Sequence, residues 1–153
     1  MNTTAPRAWG ALALLFVLAA LGGWWAAPHT LDWQPALAAR EPWRAFTAVA
    51  VHYSPLHLGA NLAGALLVGA LGVVARVPLR IVLAWLVAWP LTQIGLLLRP
   101  ELAHYGGLSG VLHAGVVAAA LWLVVHDRGR RQLIGVAILG VVLVKIIGEA
   151  PWG

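Results

Sequence analysis

The chain contains no cysteine. Disulfide bonds, thiolate nucleophiles and Cys-ligated metal centres are therefore excluded. Charge is scarce as well: 10% of its 153 residues are Asp, Glu, Lys or Arg, against about 25% in a soluble domain. Acidic residues number only 5 against 10 basic ones, a net charge of +5. In so apolar a chain this excess reports loop sidedness rather than affinity for nucleic acid. No internal repeat and no low-complexity segment is present. What is there is hydrophobic: 61% of residues, with a mean hydropathy of +0.86. The length suits a single domain over 1–153. These properties describe an all-α polytopic membrane protein whose surroundings are a lipid bilayer.

Five apolar stretches approach the roughly 20 residues needed to cross that bilayer. The first is read over Trp9–Ala27. With Arg7 before it and small residues after it, it also fits a cleaved signal peptide, but its length favours a retained helix. Pro28 ends it, and residues 29–46 form a polar connection whose Trp33 and Trp43 suit the membrane interface. The second span is read over Pro55–Val74, with Pro55 in the first turn. The third covers Arg80–Leu98, with Pro90 as an expected kink. The fourth covers Leu108–Val125 and the fifth Gln132–Gly148.

Short-loop arginines set the orientation. Arg7, then Arg76 and Arg80, then Arg128, Arg130 and Arg131 fall on one side of this pattern. Arg40, Arg44 and Arg99 fall on the other, diluted by Asp32, Glu41 and Glu101. The positive-inside rule places the first set, and the N-terminus, in the cytoplasm. The outer ends of the second and fourth spans then lie at one depth.

Both ends carry polar residues. His52, His57 and Asn61 open the second span, and Ser109 opens the fourth within Gly106-Gly107-Leu108-Ser109-Gly110-Val111-Leu112-His113. Hydrolysis of a peptide inside a membrane needs an activated hydroxyl, a base and donors for the oxyanion. Ser109 supplies a hydroxyl, and glycines around it permit tight turning and close approach to a substrate. The first amides of a helix have no intrahelical acceptor and can hold an anion. His57 and Asn61, four residues apart, share a helical face and can both donate. Gly106, Gly110, Ala114 and Ala118 form a small-residue stripe for close helix packing.

Each feature has a plainer reading. A membrane serine often bonds a backbone carbonyl, and a His–Asn pair often only joins helices. His29, His104 and His126 read as loop or interface residues. Lys145 and Glu149 read as an interfacial i,i+4 ion pair. His52, His57, His104 and His113 could together hold a metal, but no metal or other cofactor is assigned.

In combination, these motifs resemble the rhomboid intramembrane serine proteases. Trp43-Arg44 with Phe46-Thr47 is similar to the family's first external loop. His52, His57 and Asn61 are similar to its second helix, and Gly107-Leu108-Ser109-Gly110 to its nucleophile motif. The likeness spans residues 41–148. It implies Ser109 as nucleophile, His57 and Asn61 as oxyanion stabilisers, and Arg44 as a shaper of the external loop.

A histidine after the nucleophile motif, His113, together with Lys145 and Glu149, resembles the rhombosortase subgroup. That likeness implies a bacterial inner-membrane enzyme facing outward, whose partners are transmembrane or C-terminal sorting signals of exported proteins. Such a signal has a Gly-Gly pair, an apolar helix and a basic tail. The family carries its catalytic histidine on a sixth helix, whereas this chain stops at Gly153. The expectations left are truncation, His113 serving as base from the same helix with poor geometry, or an inactive protein that binds transmembrane clients.

Overall fold

A computed structural model describes residues 4–99 and 101–148. Five of its helices are long and apolar enough to cross a membrane. They are α1 (Thr4–Gly23), α4 (Pro55–Val74), α5 (Leu79–Ile94, prolonged by a 3-10 turn over Gly95–Leu98), α6 (Ser109–His126) and α7 (Arg130–Gly148). Two short helices, α2 (Pro28–Leu31) and α3 (Arg44–Thr47), lie between α1 and α4. No strand occurs among the described residues; the one extended pairing is an isolated bridge between Trp33 and Tyr105.

Helix α4 has the expected bounds because its start is chemically marked. The Ser54 hydroxyl accepts the His57 amide at 3.1 Å, and Pro55 sits where no amide is needed. Helix α1 begins earlier than expected, at Thr4, and stops at Gly23 rather than Ala27. Pro6 is tolerated in its first turn. At Gly23 the chain passes so close to Ala50 that a side chain would collide with it. Helix α7 begins at Arg130, two residues early, since arginines favour helix even where hydropathy ends. Pro90 lies inside α5, which tightens into the 3-10 turn from Gly95.

The core sits between α1, α4, α5 and α6. Trp9, Phe16 and Ala20 of α1 are fully buried, so this helix is structural. The Trp9 and Phe16 rings lie 5.1 and 5.2 Å from the Trp85 ring of α5. Trp9 Nε1 donates to the Val77 carbonyl at 3.1 Å, and Trp85 Nε1 to that of Val111 at 2.9 Å, which satisfies both indoles. Small residues make room for these rings. Trp9 fills the space a Gly72 side chain would take, and Trp85 does the same at Gly115. On α6 the buried small residues are Gly115, Ala119 and Ala120, whereas the expected stripe of Gly110, Ala114 and Ala118 is only half-buried. The face that packs closely is thus turned one residue, towards Trp85 and towards Gly135 of α7.

This packing gives a stability prediction. Gly72→Val places Cβ inside the Trp9 ring, and overpacking of that kind costs about 1–3 kcal/mol. Thermal unfolding in detergent should fall for Gly72→Val and stay near wild type for Gly10→Val, whose Cβ meets open space. Equal unfolding temperatures would contradict the packing described.

The connection between α1 and α4 is folded rather than irregular. Trp33, expected at the interface, is 2% exposed and packs with Ala45 and Ala48. Its backbone pairing with Tyr105 draws it inward. Trp43 is 53% exposed, in keeping with an interfacial position.

Candidate active site

Helices α4 and α6 start at the same end of the bundle, and the segment leading into α6 crosses over the start of α4. Gly106, Gly107 and Leu108 are buried there. Gly107 has φ +116°, a conformation that side chains strain to adopt. A Cβ on it would lie 2.7 Å from His57 Nε2 and 3.3 Å from Asn61 Nδ2. Glycine is therefore what lets this backbone touch both side chains. Its own N–H donates to the Ala48 carbonyl at 2.8 Å, so that amide is occupied.

Ser109, the first residue of α6, opens onto a groove of about 430 Å³ between α4, α6 and α7. His57, Asn61, His113 and Lys145 line the same groove. Ser109, His57 and Asn61 are thus brought together as the sequence motifs imply. Asn61 is 5% exposed, and its Nδ2 has no acceptor among the described residues. A buried donor left unpaired costs about 1–3 kcal/mol. Asn61 lines the groove beside Ser109, and the first-turn amides of α6 have no intrahelical acceptors.

His57 is held by ring contacts, to His52 at 4.9 Å and to Tyr53 at 6.3 Å between centroids. His52 Nδ1 meets the Ala50 carbonyl at 3.3 Å. Burial pushes the His52 imidazole below its ordinary pKa; the Ala50 contact opposes this and nearby His57 adds to it. The shift favours the neutral His52 ring, which sits tilted at 57° to the His57 ring.

His113 stands less favourably. Its Nδ1 lies 2.6 Å from the Ser109 carbonyl oxygen and 3.4 Å from Ser109 Oγ. A carbonyl only accepts, so Nδ1 carries the proton and donates it there. A protonated nitrogen cannot take the Ser109 proton, and in this arrangement His113 is a helix-bonded residue. Lys145 reaches the groove from α7, whereas Glu149, its expected partner, lies outside the described residues, as does the tail to Gly153.

Arg44 is buried, and holds the connection between α1 and α4 together through several bonds. Its Nη1 donates to the His29 and Asp32 carbonyls at 3.0 and 2.9 Å and meets Asp32 Oδ1 at 3.3 Å. Its Nε pairs with Glu41. Three participants were not legible as such. Asp32 and Glu41 counted only as charges on the outer side, and His104 as a loop residue or one of four histidines that could hold a metal. His104 Nδ1 in fact lies 2.7 Å from Asp32 Oδ2. The four outer histidines do not converge, and the described residues contain no group of three or more side chains suited to a metal.

A helical bundle of five apolar spans, with polar groups gathered at one end, defines an integral membrane protein. The family model described as Rhomboid domain matches residues 39–151, well over half of the chain. The protein therefore belongs to the rhomboid family, whose members are of the intramembrane protease kind. No curated protein and no solved structure matches the chain.

Proposed function

We propose that this protein is an intramembrane serine endopeptidase with Ser109 as its nucleophile. The observation that carries the reading is the meeting of Ser109 with His57 and Asn61 in one groove, across a glycine that only a missing side chain allows. Ser109 Oγ attacks the scissile carbonyl carbon as its proton passes to a base. The carbonyl oxygen, now an anion, is held by Asn61 Nδ2, by His57 and by first-turn amides of α6. Collapse breaks the C–N bond, and the leaving nitrogen takes the proton from the base. Water then attacks the acyl-enzyme by the same route and frees Ser109.

His113 can serve as base only after its Nδ1 leaves the Ser109 carbonyl. In this reading the base is a histidine, as the resemblance implies. This reading has the site facing outward across a bacterial inner membrane. Arg131 bonds the Ala75 carbonyl and Arg80 lies 4.4 Å over the Trp122 ring, so both of these arginines lie at the end opposite Ser109. The substrate we assign is a C-terminal sorting signal with a Gly-Gly pair, an apolar helix and a basic tail. This assignment is supported by the Gly107–His113 motif and by Lys145 in the groove.

The test is an exported reporter bearing such a tail, co-expressed with the protein in a bacterium. Release of the reporter, lost when the Gly-Gly pair is replaced, supports the reading. Capture of the uncut tail without release would favour an inactive client-binding protein, to which the committed His113 nitrogen also points.

A further inference from the structure

We infer that Asp32 is a positioning residue for Ser109, acting through the segment that delivers the nucleophile; this rests on the serine-protease reading above. Asp32 is 1% exposed, deep in the connection between α1 and α4. A buried carboxylate is tolerated only when its oxygens are well paired, and here both are. Oδ1 accepts from Gln34 Nε2 at 2.8 Å and faces Arg44 Nη1 at 3.3 Å. Oδ2 faces His104 Nδ1 at 2.7 Å and the Tyr53 hydroxyl at 3.5 Å. Burial first, then the neighbouring Asp32 charge, pushes the Tyr53 phenol up to about 12, so it remains a donor at every working pH.

These partners lie in separate pieces of chain. Arg44 is on α3, Tyr53 precedes α4, and His104 precedes α6. One carboxylate thus ties the external loop to the entry of both helices that form the site. The next residue repeats the tie through the backbone. The Trp33 amide donates to the Tyr105 carbonyl at 2.7 Å, and the Tyr105 amide returns the bond at 2.9 Å. Gly107 N–H then bonds Ala48 at 2.8 Å, and Ser109 follows two residues on. The nucleophile segment is pinned at 104, 105 and 107, and the first two pins arise from residues 32 and 33. Asp32 touches neither Ser109 nor the groove, so its effect must pass through the loop.

The prediction is read on the full chain in proteoliposomes, by the kinetics of a fluorophosphonate probe and by amide hydrogen exchange. Asp32→Asn keeps the side-chain shape while removing the charge that Arg44 and His104 face. It should lower the maximal acylation rate of Ser109 by about ten- to a hundred-fold, the scale of a loss for small misplacement of a reacting group. The concentration for half-maximal rate should change by less than about threefold, and exchange at Tyr105 and Gly107 should quicken. His104→Ala, which leaves the Asp32–Arg44 pair intact, should move both readouts in the same direction. Faster exchange with an unchanged acylation rate would overturn the inference, because Asp32 would then be structural only. Unchanged exchange in both variants would overturn it also, since no pin would exist. If the wild-type protein never acylates, the serine-protease reading falls with the positioning role, and exchange still reports whether the tie is real.

Discussion

Replacing Ser109 by alanine should abolish release of the Gly-Gly-tagged reporter while the protein accumulates normally in the membrane. The expected loss is the largest of any single change, on the scale of about six orders of magnitude seen when a serine nucleophile is removed. Ser109 is half-buried at the start of α6 and is not part of the hydrophobic core. Its nearest polar neighbour, His113 Nδ1, is held by the Ser109 backbone carbonyl, which alanine retains. Lost cleavage therefore cannot be blamed on a collapsed fold. Western blotting of released reporter beside equal membrane levels of the two proteins makes the comparison. Undiminished release would end the nucleophile assignment.

Gly107→Val has the second-largest effect, for a different reason. At φ +116° a β-branched residue is strained by about 1–3 kcal/mol wherever it points. Its Cβ would also lie 2.7 Å from His57 Nε2, closer than atoms approach. Either His57 swings away or the segment bearing Ser109 lifts off, and each outcome separates Ser109 from the donors proposed for the oxyanion. Removing one such donor typically costs about 10²–10³ in rate, so cleavage should fall at least that far. Gly140→Val, whose Cβ meets open space on α7, should cleave like the wild type in the same assay. If the two variants cleaved equally well, the close approach of Gly107 to His57 would not matter to function.

How much of this was legible beforehand differs by element. The second span was read to the residue, since Ser54 and Pro55 mark its start through a cap and a missing amide. The starts of α1 and α7 were misplaced because hydropathy registers apolar side chains, while Thr4, Pro6, Arg130 and Arg131 are polar or turn-forming and still helical. Helices α2 and α3 have only 4 residues each, too few to show a period.

The grouping in the candidate site was legible where each residue opened an apolar run: Ser109, His57 and Asn61 lie near helix starts and line one groove. Asp32 was not, because a satisfied buried carboxylate is defined by partners far along the chain. Gln34 is close by, but Arg44 lies 12 residues away and His104 lies 72 away. The position of His113 was legible and its hydrogen bond was not. At spacing four, the Ser109 carbonyl competes with the Ser109 hydroxyl for the same nitrogen, and at 2.6 against 3.4 Å the carbonyl wins.

The central claim is that Ser109 is an activated nucleophile within the membrane. Its most direct test is mass spectrometry of the protein in isolated membranes after treatment with a fluorophosphonate probe. A phosphonyl adduct on the peptide containing Ser109, absent after heat denaturation and in Ser109→Ala, is the predicted result. Full probe exposure with no adduct on that peptide, in membranes where the protein is intact, would contradict it.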